Sequence, residues 1–433
     1  MRVAERAEMT VHAGIVEYDR AGSRANRQPT TVIRGGFGIF YDRFSETLTL
    51  ATNRFNGINQ QQFVVTTTTP AGASILDQFP NAPPIAALSG FSVAQSVRRL
   101  APDLQAPYTM QTAISIERQL PRKITFSASY INARTLRGLR TRNINAPVPA
   151  TGLRPFGNIG NIFEYESSGR FNQNQLVLSA NNRLNRRFSL FANYVLSRAN
   201  SDTDGPGTFP VNQYDLSSEY GRASIDVRHR FFLGGSIHAP WRLTLSPLVN
   251  VLSGRPFNIT TGRDNNGDTL FNDRPALATD LTKPGVIVTR FGAFDPNPAF
   301  GQQIIPRNFG KGPAFVVFNL RVSRTWGFGE LKGRAASAPQ GSGRGVARGR
   351  SGSSGRAGGG AFGEGAVTER RYNLTFSINF QNLLNHTNAG IPIGNLSSPL
   401  FGLSNTSASG FGFAAVGQSA GNRRVETQLR LSF

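Results

Sequence analysis

The chain has no cysteine. Disulfides, thiolate metal sites and cysteine nucleophiles are thereby excluded. Lysine is scarce too: of 47 basic residues only Lys123, Lys283, Lys311 and Lys332 are not arginine. Acidic residues number 25, so the formal net charge is +22. That balance favours polyanions such as nucleic acid, anionic lipid headgroups or acidic saccharide, or it reflects a solvated, Arg-biased surface. No run of about 18 apolar residues occurs, so no membrane-spanning helix is expected. The opening stretch MRVAERAEMTVHAG carries Glu5 and Glu8 where a secretory leader needs an apolar run, so no signal peptide is expected.

Catalytic patterns are equally thin. His12, His229, His238 and His386 show no metal-ligand spacing. No carboxylate pair stands out as general acid and base. GQSAG (Gly417–Gly421) has the letters of a nucleophile elbow, but that motif needs a strand, a sharp turn and a helix. Here it precedes a terminal strand in a Gly-rich stretch. The sequence gives no support for an enzyme.

What is present is period two. RRVETQLRLSF closes the chain with Val425, Thr427, Leu429, Leu431 and Phe433 alternating with polar residues. The same alternation runs through Tyr372–Gln381, Phe318–Ser323 and Ile124–Tyr130. It predicts half-buried strands with one apolar and one polar face. Such faces fit a soluble sandwich or a membrane barrel, and strand length separates the two. Eleven strands are predicted: 9–19, 30–43, 109–120, 122–134, 171–183, 187–199, 226–238, 241–261, 314–327, 371–384 and 423–433. They are long enough to cross a bilayer at a tilt. Trp326 and Tyr372 sit near strand ends, where a membrane barrel places an aromatic girdle.

Connector length alternates as well. Asp19–Thr30, Pro121, Leu184–Arg187 and Ala239–Trp241 are short; 44–108, 135–170, 200–225, 262–313 and 385–422 are long. Outer-membrane barrels pair short periplasmic turns with long extracellular loops. The exception is 328–370, a Gly/Ser/Arg-rich stretch on the short-turn side, expected to be a disordered periplasmic insertion. An RGG-like nucleic-acid tract is the alternative for it, without the aromatic interleaving that stacks bases. Eleven is an odd count, and hydrocarbon does not tolerate unpaired edges. Either a strand is missed, at Gln61–Thr68 or Gly285–Phe291, or the chain is half of a 22-stranded barrel, which is the reading preferred here.

Several residues break or decorate this pattern. Pro247 forfeits a ladder hydrogen bond and predicts a bulge. Phe191 and Val195 fall on a nominally polar face, where they meet something filling the lumen or mark a wrong register. Asp226, Arg228 and Arg230 are read as one face of one strand, pairing within the wall or with a plug. In GRDNNGDTLFNDRP (Gly262–Pro275), Asp264, Asn266, Asp268 and Asp273 present hard oxygens in a calcium-like spacing. The EF-hand positions for Gly and Glu hold Thr269 and Pro275, so the same residues also fit an Asx-turn-rich loop that caps its own backbone. Ser201–Gly205 is a second acidic turn.

Arg34–Phe44, Asn172–Gly205, Ser253–Pro275, Asn373–Asn388, Ile393–Gly402 and the terminal NRRVETQLRLSF together resemble the barrel of TonB-dependent receptors of the Oar-like group. The resemblance implies an all-β, antiparallel transmembrane barrel in the Gram-negative outer membrane, embedded in lipid and lipopolysaccharide. It implies uptake of a ligand bound by loops and plug, energised through the TonB complex. The plug and TonB-box segments of that family are not found in residues 1–433, so TonB would act through a region outside them. The ending Val425, Leu429, Leu431 and Phe433 resembles the signal read by barrel-assembly machinery. The alternatives are a non-transporting, adhesin-like surface barrel and a basic soluble all-β nucleic-acid binder. The long strands and aromatic chain end disfavour the second, and no nucleic-acid partner is expected. Loops rich in Asn, Gln, Thr and Gly suit saccharides, peptides or anionic chelates alike. Calcium is the one cofactor suggested.

Overall fold

The computed structural model describes residues 31–93, 96–121, 124–182, 188–299, 301–331, 368, 370–408 and 421–433. Ten long strands form its wall: β1 (Thr31–Tyr41), β2 (Tyr108–Leu120), β3 (Ile124–Asn143), β4 (Ile162–Asn182), β5 (Phe188–Ser201), β6 (His229–Ala239), β7 (Leu243–Leu252), β8 (Phe315–Leu331), β9 (Arg370–Gln381) and β10 (Arg424–Ser432). Each pairs antiparallel with the next in sequence, so the wall is one continuous meander. The outer edges of β1 and β10 have no partner among the described residues.

The register keeps like with like. Across β8 and β9, Leu320 faces Phe380, Val322 faces Ile378 and Trp326 faces Leu374; Ser323 faces Ser377 and Thr325 faces Thr375. Leu374 and Phe376 continue onto Leu431 and Leu429 of β10. A slip of one residue would mix the two sets. The polar set is the buried one: Asn319, Ser323, Asn373 and Ser377 are all under 5 % exposed, while Phe376 is 38 % and Trp326 40 % exposed. A water-soluble sheet would bury the opposite face. From Tyr372 to Phe380 the apolar stripe on β9 spans about 27 Å at ~3.4 Å per residue. Tilted, that matches the roughly 25 Å apolar band of an outer-membrane barrel.

Ten of the eleven expected strands are present; 9–19 lies outside the described residues. β3 and β4 run further than expected, to Asn143 and from Ile162. β7 stops at Leu252 rather than 261, where the chain leaves the wall. Pro247 shifts no register against β8. The ladder between β6 and β7 simply skips Gly235 and Ser236. Gly235 has φ +148°, and a Cβ there would lie 2.1 Å from the Ser189 carbonyl oxygen, so only glycine fits. Asp226 and Arg228 precede β6 and share no strand face with Arg230. Neither supposed extra strand joins the wall: Phe63 makes one isolated bridge to Ser92, and Ile287–Thr289 belongs to a small separate sheet. β8 continues to Leu331, into the expected 328–370 insertion, of which 332–367 and 369 lie outside the described residues. So do the 184–187 turn, His12 and most of GQSAG.

All five long connections leave the same end of the wall. The first carries helices α1 (Glu46–Arg54) and α2 (Pro70–Leu76). Those after β7 and β9 fold on each other around Phe257, Ile259, Phe294, Ile305 and Leu396. Three-stranded (Ala276–Leu277, Gly292–Asp295, Ile287–Thr289) and two-stranded (Pro256–Phe257, Gly310–Lys311) sheets brace this crown. Each of those five side chains contributes roughly 1.5–3 kcal/mol of gross burial energy.

Candidate functional site

A cleft of about 670 Å³ opens in the crown between the connections that follow β3, β5 and β7. Gln213, 3 % exposed, holds its floor together. Its side-chain oxygen accepts from the Asn143 backbone N–H at 2.9 Å, and its amide donates to Asp268 Oδ2 and the Pro210 carbonyl at 2.9 Å each. One side chain thereby ties the end of β3 to the other two connections. Tyr214 donates its hydroxyl to the Ala146 carbonyl at 2.6 Å, and Asn266 donates to the Val211 carbonyl at 2.8 Å. Behind the cleft, Arg274 Nη2 meets Glu219 Oε1 at 2.5 Å, with both groups buried. Such a pair anchors one connection to another and costs several kcal/mol when either partner is removed.

Asp264, Asn266, Asp268 and Asp273 meet in one loop, of which Asn266, Asp268 and Asp273 line the cleft. Asp264 accepts from the backbone N–H of Asp268 and Thr269, at 3.1 and 2.8 Å. Asn266 Oδ1 accepts from Asp268 N at 2.9 Å, and Asp268 Oδ1 from Leu270 N at 2.8 Å. Asp273 accepts from Asn265 N at 2.7 Å and from the Asn266 amide at 3.3 Å. The hard oxygens thus cap their own loop, the Asx-turn arrangement. Among the described residues no group of three or more His, Cys, Asp or Glu is placed to hold a metal ion. Gly262, with φ +74°, lets the loop pass against Asn395, whose Oδ1 would be 2.0 Å from a Cβ.

The capping does not keep Asp268 and Asp273 at their ordinary strength. Burial pushes the Asp273 carboxyl up to about 6, against the Asn265 N–H that favours its charge, with Asp268 and Asp264 adding repulsion. Burial also raises Asp268, against the Gln213 amide. Asp215, on the opposite wall, is held below its usual range by the N–H and hydroxyl of Ser217. Burial raises the Tyr214 phenol.

The other expected sites lie on the wall. Trp326 and Tyr372 stand on the apolar face at the turn end of β8 and β9, with Phe328 stacked on Tyr372 at 5.6 Å. Arg324 lies over Trp326 at 5.0 Å and Arg371 over Tyr372 at 5.6 Å, the way long cationic side chains accompany an interface belt. Tyr130, already read as part of an apolar face, pairs with Ile114 at mid-strand, and a Tyr194–His229 pair joined at 2.8 Å was not singled out in the sequence. The strand register shows that Tyr194 and His229 share the apolar face. Val425, Leu429 and Leu431 are 55, 68 and 56 % exposed on that face of β10, and Phe433 follows at 88 %. Phe191 and Val195 do lie on the polar face, in regular register with β4 and β6, and Phe191 approaches Phe232 at 6.0 Å. Arg230, also on that face, is flanked by Val195 and Leu252, and its Nε is buried with no hydrogen-bond partner among the described residues.

Among solved structures, the outer membrane transporter YddB from Escherichia coli is similar at 12 % identity and a TM-score of 0.43, over 93 % of this chain and 38 % of that one. The ferric-catecholate import receptor Fiu from E. coli matches at 9 % identity and 0.35, over 82 % of this chain and 29 % of that one. The copper transporter OprC matches at 10 % and 0.35, over 86 % and 32 %. The chain therefore spans well under half the length of each of these proteins. No protein with a curated description matches it. The sequence model of the outer membrane beta barrel domain matches residues 20–334. With an inside-out meander of ten long strands and a match over most of its length, the chain belongs to the outer membrane beta barrel domain family and is an outer-membrane protein.

Proposed function

We propose that this chain is part of the barrel of a TonB-dependent transporter, with its crown outside the cell and the crown cleft as the place where ligand first docks. The observation that carries the reading is the sidedness of the wall: five long connections share one end, and two of them fold into a braced structure with its own core. Two further features of the described residues fit. Hydrocarbon does not tolerate unpaired strand edges, and the outer edges of β1 and β10 have no partner among the described residues, which fits a wall that further strands complete. The exposed Phe191 ring on the polar face suits a lumen occupied by protein rather than by water alone.

The test places a photo-crosslinking residue at Phe191 in the protein as it sits in the outer membrane. The transport reading expects capture of a plug domain, and a changed yield when the proton gradient is collapsed. An adhesin-like barrel without active transport expects no capture and no response to the gradient.

A further inference from the structure

The crown cleft is out of character with the rest of the chain. In a protein of net charge +22, none of the described residues lining it is lysine or arginine. The nearby arginines are engaged elsewhere. Arg142 meets Glu166 at 2.6 Å and the Gln213 carbonyl at 3.0 Å. Arg154 donates to the Asn145 and Gly267 carbonyls at 2.7 and 3.1 Å. An anionic ligand entering here would lose water and meet no cationic side chain among the described lining residues, the costly direction for charge burial.

A wholly apolar ligand fares no better. Asn212, Gln302, Gln303, Ser217 and Ser218 line the same space, and covering them without new hydrogen bonds costs about 1–3 kcal/mol per group. A multiply charged cation finds few open acceptors. Asp268 and Asp273 are 1 and 4 % exposed with their oxygens already bonded, which leaves Asp215 as the accessible carboxylate. Among the described residues, what remains on offer is two ring faces, prolines, and amide and hydroxyl groups. Tyr214 and Tyr220 are 41 and 51 % exposed, and Tyr214 is held in place by its bond to Ala146. Pro147, Pro149, Pro298 and Pro306 supply apolar wall. Flat C–H faces alternating with neutral hydroxyls match that surface, and the volume falls within the usual range for a small ligand.

We infer that the crown cleft binds an uncharged, polyhydroxylated ligand of saccharide type. The inference deepens the docking reading above and rests on it only for the position of the cleft. The full chain, solubilised from the outer membrane, is tested against immobilised neutral oligosaccharides, sulfated and carboxylated counterparts of equal length, and amine-bearing oligomers, at salt that screens surface attraction. The quantity that counts is the binding removed by replacing both Tyr214 and Tyr220 with Ala. It should be confined to neutral glycans, with a loss of about tenfold or more, as expected when stacking surfaces are taken away. Because Tyr214 also anchors its loop, a second variant guards against misfolding. Gln303→Arg sits on an exposed rim position and should weaken neutral binding while admitting sulfated glycans. Tyrosine-dependent binding of acidic or amine-bearing glycans, or no retention of any neutral glycan, overturns the inference. Neutral binding that persists when no plug is captured at Phe191 overturns the transport reading alone.

Discussion

On β8 and β9, Phe376 and Trp326 stand well exposed while Ser377, Asn373 and Asn319 beside them are buried. A short distance along the same chain, in the crown, Phe294 and Ile259 are completely buried and exposed positions such as Asp280 and Lys283 are charged. The two regions follow one rule in two solvents. Crown side chains meet water, so the apolar groups of its core withdraw, although others such as Val288 stay exposed. The wall meets hydrocarbon outside and a polar interior inside, so the same groups turn outward. The crown therefore depends on packing and buried ion pairs, and the wall on its ladder and on what surrounds it.

That contrast can be broken most strongly from the crown side. Phe294→Ala removes the centre of the crown core and should cost about 3–5 kcal/mol. It should appear as rapid amide exchange across 256–310, with the heat-modifiable migration of the wall in detergent unchanged. A loss of wall stability of equal size would show that the two regions unfold as one. Next, Phe376→Arg puts a charge at the middle of the apolar stripe and should cost about 2–4 kcal/mol, read by urea unfolding from lipid vesicles. The crown should retain its exchange protection. If the substitution proves neutral in vesicles, the face assignment is wrong.

A third effect is set by pH and confined to the crown. The Asp273 carboxyl lies near 6 in the folded loop against an ordinary 3.8, so between these values the folded state holds more protons than the unfolded one. Stability of the 262–275 loop is then greatest at low pH and falls as pH rises through about 6, by at most ~3 kcal/mol. Exchange protection there, corrected for intrinsic rates, should decrease from pH 5 to pH 7, and Asp273→Asn should flatten the change. The smallest effect is on the wall. Arg34 and Glu117 pair at 3.1 Å but are half exposed, so Arg34→Ala should change stability by no more than about 1 kcal/mol. A larger loss would mean that this face is drier than its exposure indicates.

Much of the wall was legible because period two leaves nothing to tertiary choice: once Leu374, Phe376 and Ile378 share a face, so must Leu429 and Leu431 opposite them. Element ends were harder to read. β3 and β4 run into the crown because polar residues such as Thr141 and Asn143 are buried there by neighbouring loops, a reason no strand propensity contains. Asp226 and Arg228 were misplaced on a strand for a similar cause. Asp226 is fully buried as the partner of Arg222 and of the Ala199 N–H, which stops the ladder before it reaches them. In GRDNNGDTLFNDRP the alternating oxygens were visible, but their aim toward backbone N–H groups was not. The cleft itself could not be read, because Gln213, Tyr214 and Asp268 are brought together from connections far apart in sequence.

By itself, then, the sequence determined that the chain would form long two-faced strands with short and long connections in alternation, because side-chain direction in a strand depends only on parity. Tertiary structure decided that the long connections become a crown with its own core and a cleft with no lysine or arginine among its described lining residues. Long-range burial and hydrogen bonds select among loop conformations that local sequence leaves nearly equal in energy.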